Sequence, residues 1–551
     1  MPDPGGDTMS ADVDSSADTA TQPTARRVVV FTLLFALVII AAIGLAGLLA
    51  RLLDRGDLLV STDVAGLARS LAFTLIAGPL AAVLWWAQWR RLGHAERASV
   101  AWGLYVALMS TVSLIVFSSA LLVTAAALVR SDWRPNAFAT GLVWAGVWVW
   151  HRRMSLHADK APTRLRSVAP LLGAAFGLLV FAGGALTTLS SLIDAAVTGL
   201  TADATIGDPW WRLALQALLW SMGGAVVWWS HWFHDDARGL RGGLSTVALI
   251  VVGIALPAAF TLAGAGTVLY RVLRVAFDRT EPVQQILDSL GVALAAAAIG
   301  ALVWAYHRRQ AALRPAGPVL ATRIVTAAVG LIGAASGIGV IVTALLAALA
   351  PSFVGSDART LLLGGVSALV VSGPTWWLAW KPAAPVDPAE AASAGRRLYL
   401  VLIFGLSAIV AIITLLVIGY RLFEAALGDP NATDLVTRVR APLGLLVATG
   451  LVAWYHFAIW RRDRALVPAH ATPRIERIVL VAGPEPEPLV SALIAATGAT
   501  VTLWRRADAP AQETAAPTPE DLAHVFEPIR SARVLVVVGS DGRLEVIPLQ
   551  G

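Results

Sequence analysis

The stretch LWWAQWRR at residues 84–91 decides the fold, because it ends an apolar run and the same kind of ending recurs along the chain. Five later apolar runs also end in tryptophan, usually followed by basic residues. They are VWVWHRR (147–153), VWWSHWFHDD (227–236), VWAYHRR (303–309), TWWLAWK (375–381) and AWYHFAIWRR (453–462). We call these six stretches the tryptophan-rich ends.

The tryptophan-rich ends are regularly spaced. They contain 14 of the 21 tryptophans, and their anchoring tryptophans lie 63 to 80 residues apart. One such interval accommodates two apolar helices and their connections, so the spacing predicts six repeats of a two-helix hairpin. The anchoring residues are Trp85, Trp148, Trp228, Trp304, Trp376 and Trp454.

The composition places these hairpins in a membrane. Hydrophobic residues make up 57% of the 551 residues and charged residues 14%, against roughly 25% charged in soluble proteins. The runs 28–50, 100–129 and 324–350 each exceed the ~20 apolar residues that cross a bilayer. The sequence therefore predicts an all-α polytopic membrane protein of about 12 transmembrane helices, with the bilayer as its main partner.

The predicted boundaries follow from changes in composition along the chain. Residues 1–25 are polar and should form a disordered tail, residues 465–473 a linker and residues 474–551 a soluble α/β domain. The transmembrane domain takes residues 26–464. Its six hairpins are predicted at about 26–92, 97–154, 163–236, 238–310, 318–382 and 396–464.

Charge predicts the orientation. Indole rings favour the headgroup layer, so all six tryptophan-rich ends should lie on one side of the membrane. The connections on that side hold 22 Lys and Arg, against 13 in the loops inside the hairpins. By the positive-inside rule, the tryptophan-rich ends and both termini should be cytoplasmic.

The C-terminal segment alternates between strand and helix patterns. RIVLVAG (477–483) and TVTLWRR (500–506) are typical strands, separated by a helix that should end at Gly498. A second helix should begin at Pro519, and two further strands should form a hairpin with an Asp-Gly turn at Asp541. The predicted order is β-α-β-α-β-β, and this domain is where we expect a cytoplasmic protein partner.

Recurring histidines are the first candidate site. His151, His231 and His307 each follow an anchoring tryptophan by three residues, and His456 lies close to the equivalent place. They either bind haem or a metal or are ordinary residues at the membrane interface. His231 and His234 belong to a denser group, HWFHDD, that has no matched third ligand.

Three arginines are the second candidate. Arg51, Arg271 and Arg421 follow the first apolar run of their hairpins, where they either contact a substrate or extend to external lipid phosphate. Charges at mid-membrane persist mainly for function, and the sequence has none there. Glycine pairs four residues apart, at Gly173 and Gly177 and again at Gly333 and Gly337, predict close helix packing.

Several functional classes are disfavoured. The chain has no cysteine, which excludes disulfides and thiolate sites, and it lacks a serine nucleophile elbow, an HExxH pair and a Walker loop. We therefore expect no enzyme activity, cofactor or metal, and no nucleic-acid binding despite the net charge of +6. The sequence leaves the oligomeric state open.

The tryptophan-rich ends, RRLYLVLIFGLSAIV (396–410) and the tail from Arg477 to Ala507 resemble an uncharacterised actinobacterial family of multi-pass membrane proteins. The family is known only as a domain of unknown function. The resemblance implies a bacterial plasma membrane location and no activity.

Two functions stay open on the sequence. The protein is either a membrane scaffold or regulatory component with a cytoplasmic interaction domain, or a transporter of an apolar or lipid-like substrate. The helix interruptions that a transporter needs have candidates at Pro257, at 264–266 and at 330–339. A cavity at mid-membrane beside them would favour the transporter, and a solid bundle would exclude it.

Overall fold

The computed structural model describes most of the chain in thirteen stretches. They are residues 15–54, 63–201, 209–278, 281–349, 358–381, 391, 393–427, 435–466, 475–483, 486–506, 517–529, 531–539 and 543–549. Most of the predicted linker 465–473, the predicted Asp-Gly turn and residues 1–14 of the predicted disordered tail lie outside these residues. The first helix begins at Ser15, inside that predicted tail.

Twelve long helices make up the predicted transmembrane domain. The first six are α1 Ser15–Leu53, α2 Val64–Arg91, α3 Val100–Leu128, α4 Pro135–Leu156, α5 Val168–Thr201 and α6 Trp210–His234. The other six are α7 Gly243–Phe277, α8 Leu290–Ala312, α9 Ala316–Ala348, α10 Ala358–Trp380, α11 Ala394–Ala426 and α12 Leu435–Leu466. Segments of π-helix interrupt α2 at Phe73–Ala77 and α7 at Leu249–Ala255, and one ends α6 at Ser230–His234.

Eleven helices of the described residues are long and apolar enough to cross a membrane. The multi-pass architecture is therefore confirmed, but the predicted count of 12 is not. The exception is α4, whose 22 residues span about 33 Å but include His151, Arg152 and Arg153 near the end.

Each set of four consecutive helices packs as a bundle. In the first bundle α1 packs against α2 and α4, and α3 packs against α4; α5 to α8 repeat this pattern in the second. In the third, α9 packs against α10 and meets α12 where Gly339 approaches Gly444. Helix α11 meets α12 where Tyr399 approaches His456. Pairs of predicted hairpins thus combine into three tandem bundles.

The predicted glycine pairs lie at the closest helix contacts. A side chain at Gly177 would meet the backbone of Trp228 on α6, and one at Gly337 would meet Gly365 on α10. The backbones of α5 and α6, and those of α9 and α10, can approach this closely because the glycines have no side chain. This confirms the helix packing predicted from the small-residue spacing.

The same helix of each bundle contacts the next bundle. Helix α3 packs against α5 and α6, and α7 packs against α9 and α10. The equivalent helix in the third bundle, α11, ends the array. Its outer face is exposed and consists of large apolar residues such as Ile409, Ile413 and Leu416, as expected where a helix faces lipid.

The chain divides into two compact units, Met1–Ala384 with Leu398–Phe457, and Pro385–Arg397 with Ala458–Gly551. The second contains a four-stranded sheet of order β2-β1-β3-β4, in which β1 to β3 are parallel and β4 is antiparallel to β3. The strands are β1 Arg477–Ala482, β2 Thr500–Arg505, β3 Arg533–Val538 and β4 Leu544–Leu549, and the helices are α13 Glu487–Thr497 and α14 Pro519–Phe526.

The order β-α-β-α-β-β is the predicted one. Gly498 ends α13 in the left-handed conformation at φ +69°, which glycine adopts without strain. Both helices bury side chains, Leu493 and Leu522 among them, in one core with Ile478 and Val534 of the sheet. The small α/β domain is therefore confirmed.

Candidate functional site

An aromatic cluster recurs near the tryptophan-rich ends of the second and third bundles. Trp232 of α6 donates its indole N–H to the hydroxyl of Tyr306 on α8, at 2.8 Å. In the third bundle Trp380 of α10 donates to Tyr455 of α12, at 3.0 Å. Each pair joins the second and fourth helices of its bundle, so these aromatic residues hold the tryptophan-rich ends together.

The recurring histidines are held by their own helices. In each, Nδ1 lies 2.8 to 2.9 Å from the carbonyl oxygen four residues earlier, and this oxygen only accepts hydrogen bonds. Nδ1 therefore donates, and in a neutral ring Nε2 is left to accept. Tyr105 lies 3.0 Å from Nε2 of His151, and Tyr399 lies 3.5 Å from Nε2 of His456. The four histidines are His151, His231, His307 and His456.

The histidines do not come together as ligands of one metal. Among the described residues, no group of three His, Asp or Glu side chains is arranged to hold a metal ion. The contact with Val452 places His456 in the position that His307 has in its own bundle. His456 is therefore equivalent to the other three histidines in structure, although it follows its anchoring tryptophan by two residues and not by three.

The six anchoring tryptophans lie in different environments. Trp148 packs against Phe117 with ring centroids 5.2 Å apart, Trp228 stacks on Trp232 at 6.4 Å, and Trp454 is 70% exposed. The other three bury the indole Nε1 with no hydrogen-bond partner among the described residues. These are Trp85, Trp304 and Trp376.

A cleft of about 650 Å³ opens between the first and second bundles, beside the tryptophan-rich ends of α4 and α6. Its apolar wall is formed by α3, from Gly103 to Leu114, and by Trp148. Its polar wall carries the side chains of the HWFHDD group and two arginines of the first bundle and its connection. These polar residues are Arg152, Arg166, His231, His234, Asp235 and Asp236.

An ion pair joins the two bundles inside the cleft. Arg152 donates two hydrogen bonds to the carboxylate of Asp235, at 2.6 and 2.9 Å. Burial raises the pKa of this carboxyl, but the hydrogen bond and charge of Arg152 outweigh it and leave the pKa below its usual value. His231 places Nε2 3.8 Å from the same carboxylate, and exposed His234 lines the cleft without joining the pair.

Two apolar pockets lie on either side of α9, halfway along the helices. The first, of about 530 Å³, is formed with α11 and α12 and includes Gly339 and Ile403. The second, of about 510 Å³, is formed with α7 and α10 and includes Gly266 and Gly333. The interruptions predicted at 264–266 and 330–339 are wrong, because both stretches are regular α-helix; the break in α7 lies earlier, at Leu249–Ala255 before Pro257. Residues Ile332 and Ser336 of α9 line both pockets.

The three candidate arginines do not line any of these cavities. Arg51 pairs with Asp63 at the start of α2, at 2.8 Å. Arg271 bonds Ser289 before α8, at 3.1 Å. Arg421 pairs with Glu424 on its own helix, at 2.9 Å. Each lies near the loop end of its hairpin, and the structure does not bring the three together.

The ion pair between Arg152 and Asp235 was not predicted from the sequence. Neither was a second ion pair, between Arg396 and Asp463, in which both side chains are almost fully buried. One signal was available for the first pair. VWVWHRR and HWFHDD end neighbouring tryptophan-rich helices with opposite charges. The position of Arg166 in the cleft could not be inferred, because a long connection brings it there.

Fold and cavities define a multi-pass membrane protein made of tandem four-helix bundles. The family described as Domain of unknown function (DUF5671) matches three times, at residues 27–141, 169–298 and 320–451. The chain belongs to this family. Each match begins in the first helix of a bundle and ends within the fourth, so the family model covers two consecutive hairpins at a time. No curated protein and no solved structure matches the chain.

Proposed function

We propose that the protein is a transporter of apolar or lipid-like molecules, which bind in the two pockets beside α9. The observation that supports this is the presence of two apolar grooves halfway along the helices, one on each side of the exposed α9 residue Ile332. Volumes near 500 Å³ fall within the range of small-molecule sites in proteins, about 300 to 1,000 Å³.

The lining indicates the substrate class. Most of the lining is apolar, and side chains such as Leu331, Val340 and Val410 offer dispersion contacts. The polar lining residues are small and uncharged, such as Ser336 and Thr343. Among the residues that the structure describes, no charged side chain lines either pocket. A polar solute would lose its hydration there without compensation, whereas an acyl chain or another apolar group would lose nothing.

Helix α9 is the element whose movement would connect the two pockets. It contacts α10 and α12 through glycines, so it has few interlocking side chains on these faces. Its neighbour α7 contains a π segment at Leu249–Ala255 and then Pro257, where the regular hydrogen bonding of the helix is broken. Such interruptions are common around the substrate sites of transporters.

A lipid translocation assay tests this function. The full chain is reconstituted into liposomes that contain phosphatidylglycerol with a dithionite-sensitive fluorophore on its acyl chain. We expect dithionite to bleach well beyond the outer-leaflet half, and Ser336→Phe, which fills both pockets, to return bleaching to the protein-free level. The matched control is Leu345→Phe on the exposed side of α9. Equal bleaching with and without wild-type protein would exclude lipid transport.

One observation favours a second function, a membrane scaffold that recruits a protein through residues 474–551. The sheet face opposite the helix core carries half-buried Val479 and Leu535 beside Trp504 and Ile547, which are 63% and 37% exposed. Exposed apolar residues of this kind mark protein contact sites. Full-length protein in mild detergent should co-purify a partner that Trp504→Glu releases and Ser491→Glu, on α13, does not. Identical co-purifying proteins in both variants would count against the scaffold.

A further inference from the structure

The cleft between the first and second bundles differs from the pockets beside α9 in having one apolar wall and one polar wall. Along α3 the apolar wall runs from Gly103 to Leu114, about 16 Å at 1.5 Å per residue. Ala107 lies between them and is also part of this wall. A wall of this length matches one hydrocarbon chain of a lipid.

The polar wall has cationic groups that are free to bind an anion. Arg166 donates from Nε to the carbonyl oxygen of Pro162, and its two terminal nitrogens have no partner within the part of the chain described. The acids of the cleft are already engaged, Asp235 by Arg152 and Asp236 by Arg238. The unengaged charge on this wall is therefore positive.

A buried hydroxyl adds to this observation. Ser110 is 8% exposed and lines the cleft, and its Oγ has no hydrogen-bond partner among the described residues. A buried hydroxyl without a partner costs about 1 to 3 kcal/mol. The ester carbonyl oxygen at the start of a lipid acyl chain would accept a hydrogen bond from this serine and remove that cost, whereas the neighbouring Ser113 bonds its own helix.

We propose that this cleft binds an amphiphile with a phosphate headgroup, whose phosphate contacts Arg166 and whose acyl chain lies along α3. Guanidinium groups bind phosphate through paired, charge-assisted hydrogen bonds. The cleft lies at tryptophan-rich ends, at the depth where phospholipid headgroups are found. It is separate from the pockets beside α9, so its occupancy does not depend on transport by those pockets.

The test measures the thermal unfolding midpoint of delipidated full-length protein in detergent against three probes. Dioleoyl phosphatidylglycerol carries both phosphate and chains, dioleoylglycerol carries chains alone, and glycerol 3-phosphate carries phosphate alone. We expect only the first to raise the midpoint. An equal rise with dioleoylglycerol would overturn the phosphate contact, an equal rise with glycerol 3-phosphate would overturn the acyl-chain contact, and no rise with any probe would overturn the site.

Variants locate the effect. Arg166→Gln should raise the phosphatidylglycerol concentration for half-maximal stabilisation about tenfold, the equivalent of about 1.4 kcal/mol. Arg166→Lys should recover part of this loss, and Arg164→Gln, two residues away and outside the lining, should match wild type. Ala107→Phe should abolish stabilisation by filling the apolar wall. Leu108→Phe, on the exposed side of α3, is its control. An unchanged concentration in Arg166→Gln would refute the proposal.

A second measurement does not depend on the stability of the variants. Phosphatidylglycerol with a diazirine on its acyl chain should label the peptide that contains Gly103 to Leu114 after illumination. The label should be lost in Arg166→Gln and retained in Arg164→Gln. Labelling spread evenly over the lipid-facing helices, with no enrichment on α3, would contradict the predicted chain position.

Discussion

Replacement of Gly177 by alanine tests the close packing of α5 and α6. The added methyl group would lie 2.8 Å from the Cα of Trp228 and 2.9 Å from the carbonyl carbon of Val227, against 3.4 Å or more for an ordinary contact. Because both neighbours are backbone atoms of α6, no side chain can rotate away. The backbone nitrogen of Trp228 lies closer still, so the helices must separate by roughly 1 Å, and overpacking of this kind costs about 1 to 3 kcal/mol.

Gly183 on the same helix is the matched control. It has no atom within 4 Å of the position that a methyl group would take, and it is exposed. Gly183→Ala should therefore show only the gain in helix stability, about 0.5 to 1 kcal/mol. Unfolding by SDS titration in mixed micelles should give opposite signs for the two variants. A Gly177→Ala protein as stable as Gly183→Ala would refute the packing argument.

Three further outcomes follow from the ion pairs and aromatic contacts. Tyr306→Phe leaves the indole N–H of Trp232 unpaired and should lower the free energy of unfolding by about 1 to 3 kcal/mol in an SDS titration. The double variant Tyr306→Phe, Trp232→Phe should lose much less than the sum of the losses in the two single variants, because both substitutions remove the same hydrogen bond. Asp463→Ala leaves Arg396 buried without this partner and should cost about 3 kcal/mol or more, and a smaller loss in thermal unfolding would show that water reaches the pair. The carboxyl of Asp235 has a lower pKa in the folded protein than in the unfolded chain. Its contribution to the free energy of unfolding is therefore present above the ordinary carboxyl pKa of about 3.9, and it is lost as the pH falls through the lower pKa of the folded protein. The difference in unfolding midpoint between wild type and Asp235→Asn should therefore persist from pH 8 to pH 5, with any protonation of His231 or His234 adding to it, and should disappear only in stronger acid. A difference that shrinks between pH 7 and pH 5 would contradict this.

The hairpins could be predicted from sequence because bilayer thickness sets the length of an apolar helix and the headgroup layer favours tryptophan. Both signals are local, and α2 ends at Arg91, close to the predicted hairpin end at about residue 92. The grouping of hairpins into bundles is not local. It depends on contacts such as Gly339 with Gly444, more than 100 residues apart, and no single-sequence pattern specifies which hairpins pair.

The candidate site was predicted only in part. The HWFHDD group was recognised as unusual, and His231, His234 and Asp235 do line the cleft. The metal hypothesis for this group has no matching arrangement of ligands in the described residues, and what Asp235 contacts instead is Arg152. The opposite charges of VWVWHRR and HWFHDD indicate that the two ends attract each other, but the sequence does not specify that Arg152 and not Arg153 makes the contact.

The secondary structure of the C-terminal domain, in contrast, was predicted correctly. Its strands and helices were predicted in the correct order because short elements with clear turn and cap residues determine their own boundaries. Gly498 and Pro519 mark the end of one helix and the start of the other. The sheet order β2-β1-β3-β4 could not be predicted in the same way, because it depends on which strands pair across the domain and not on the sequence of any one element.

The central claim is that all six tryptophan-rich ends lie on one side of the membrane. The chain has no cysteine, so single cysteines can be introduced at Arg153 and Arg309, beside two of these ends, and at Asp132 in the loop between α3 and α4. We expect a membrane-impermeant maleimide added to intact cells to label only the Asp132 variant, and added to inverted membrane vesicles to label only the other two. Labelling of Arg153→Cys and Arg309→Cys from opposite sides would contradict the repeated hairpin architecture.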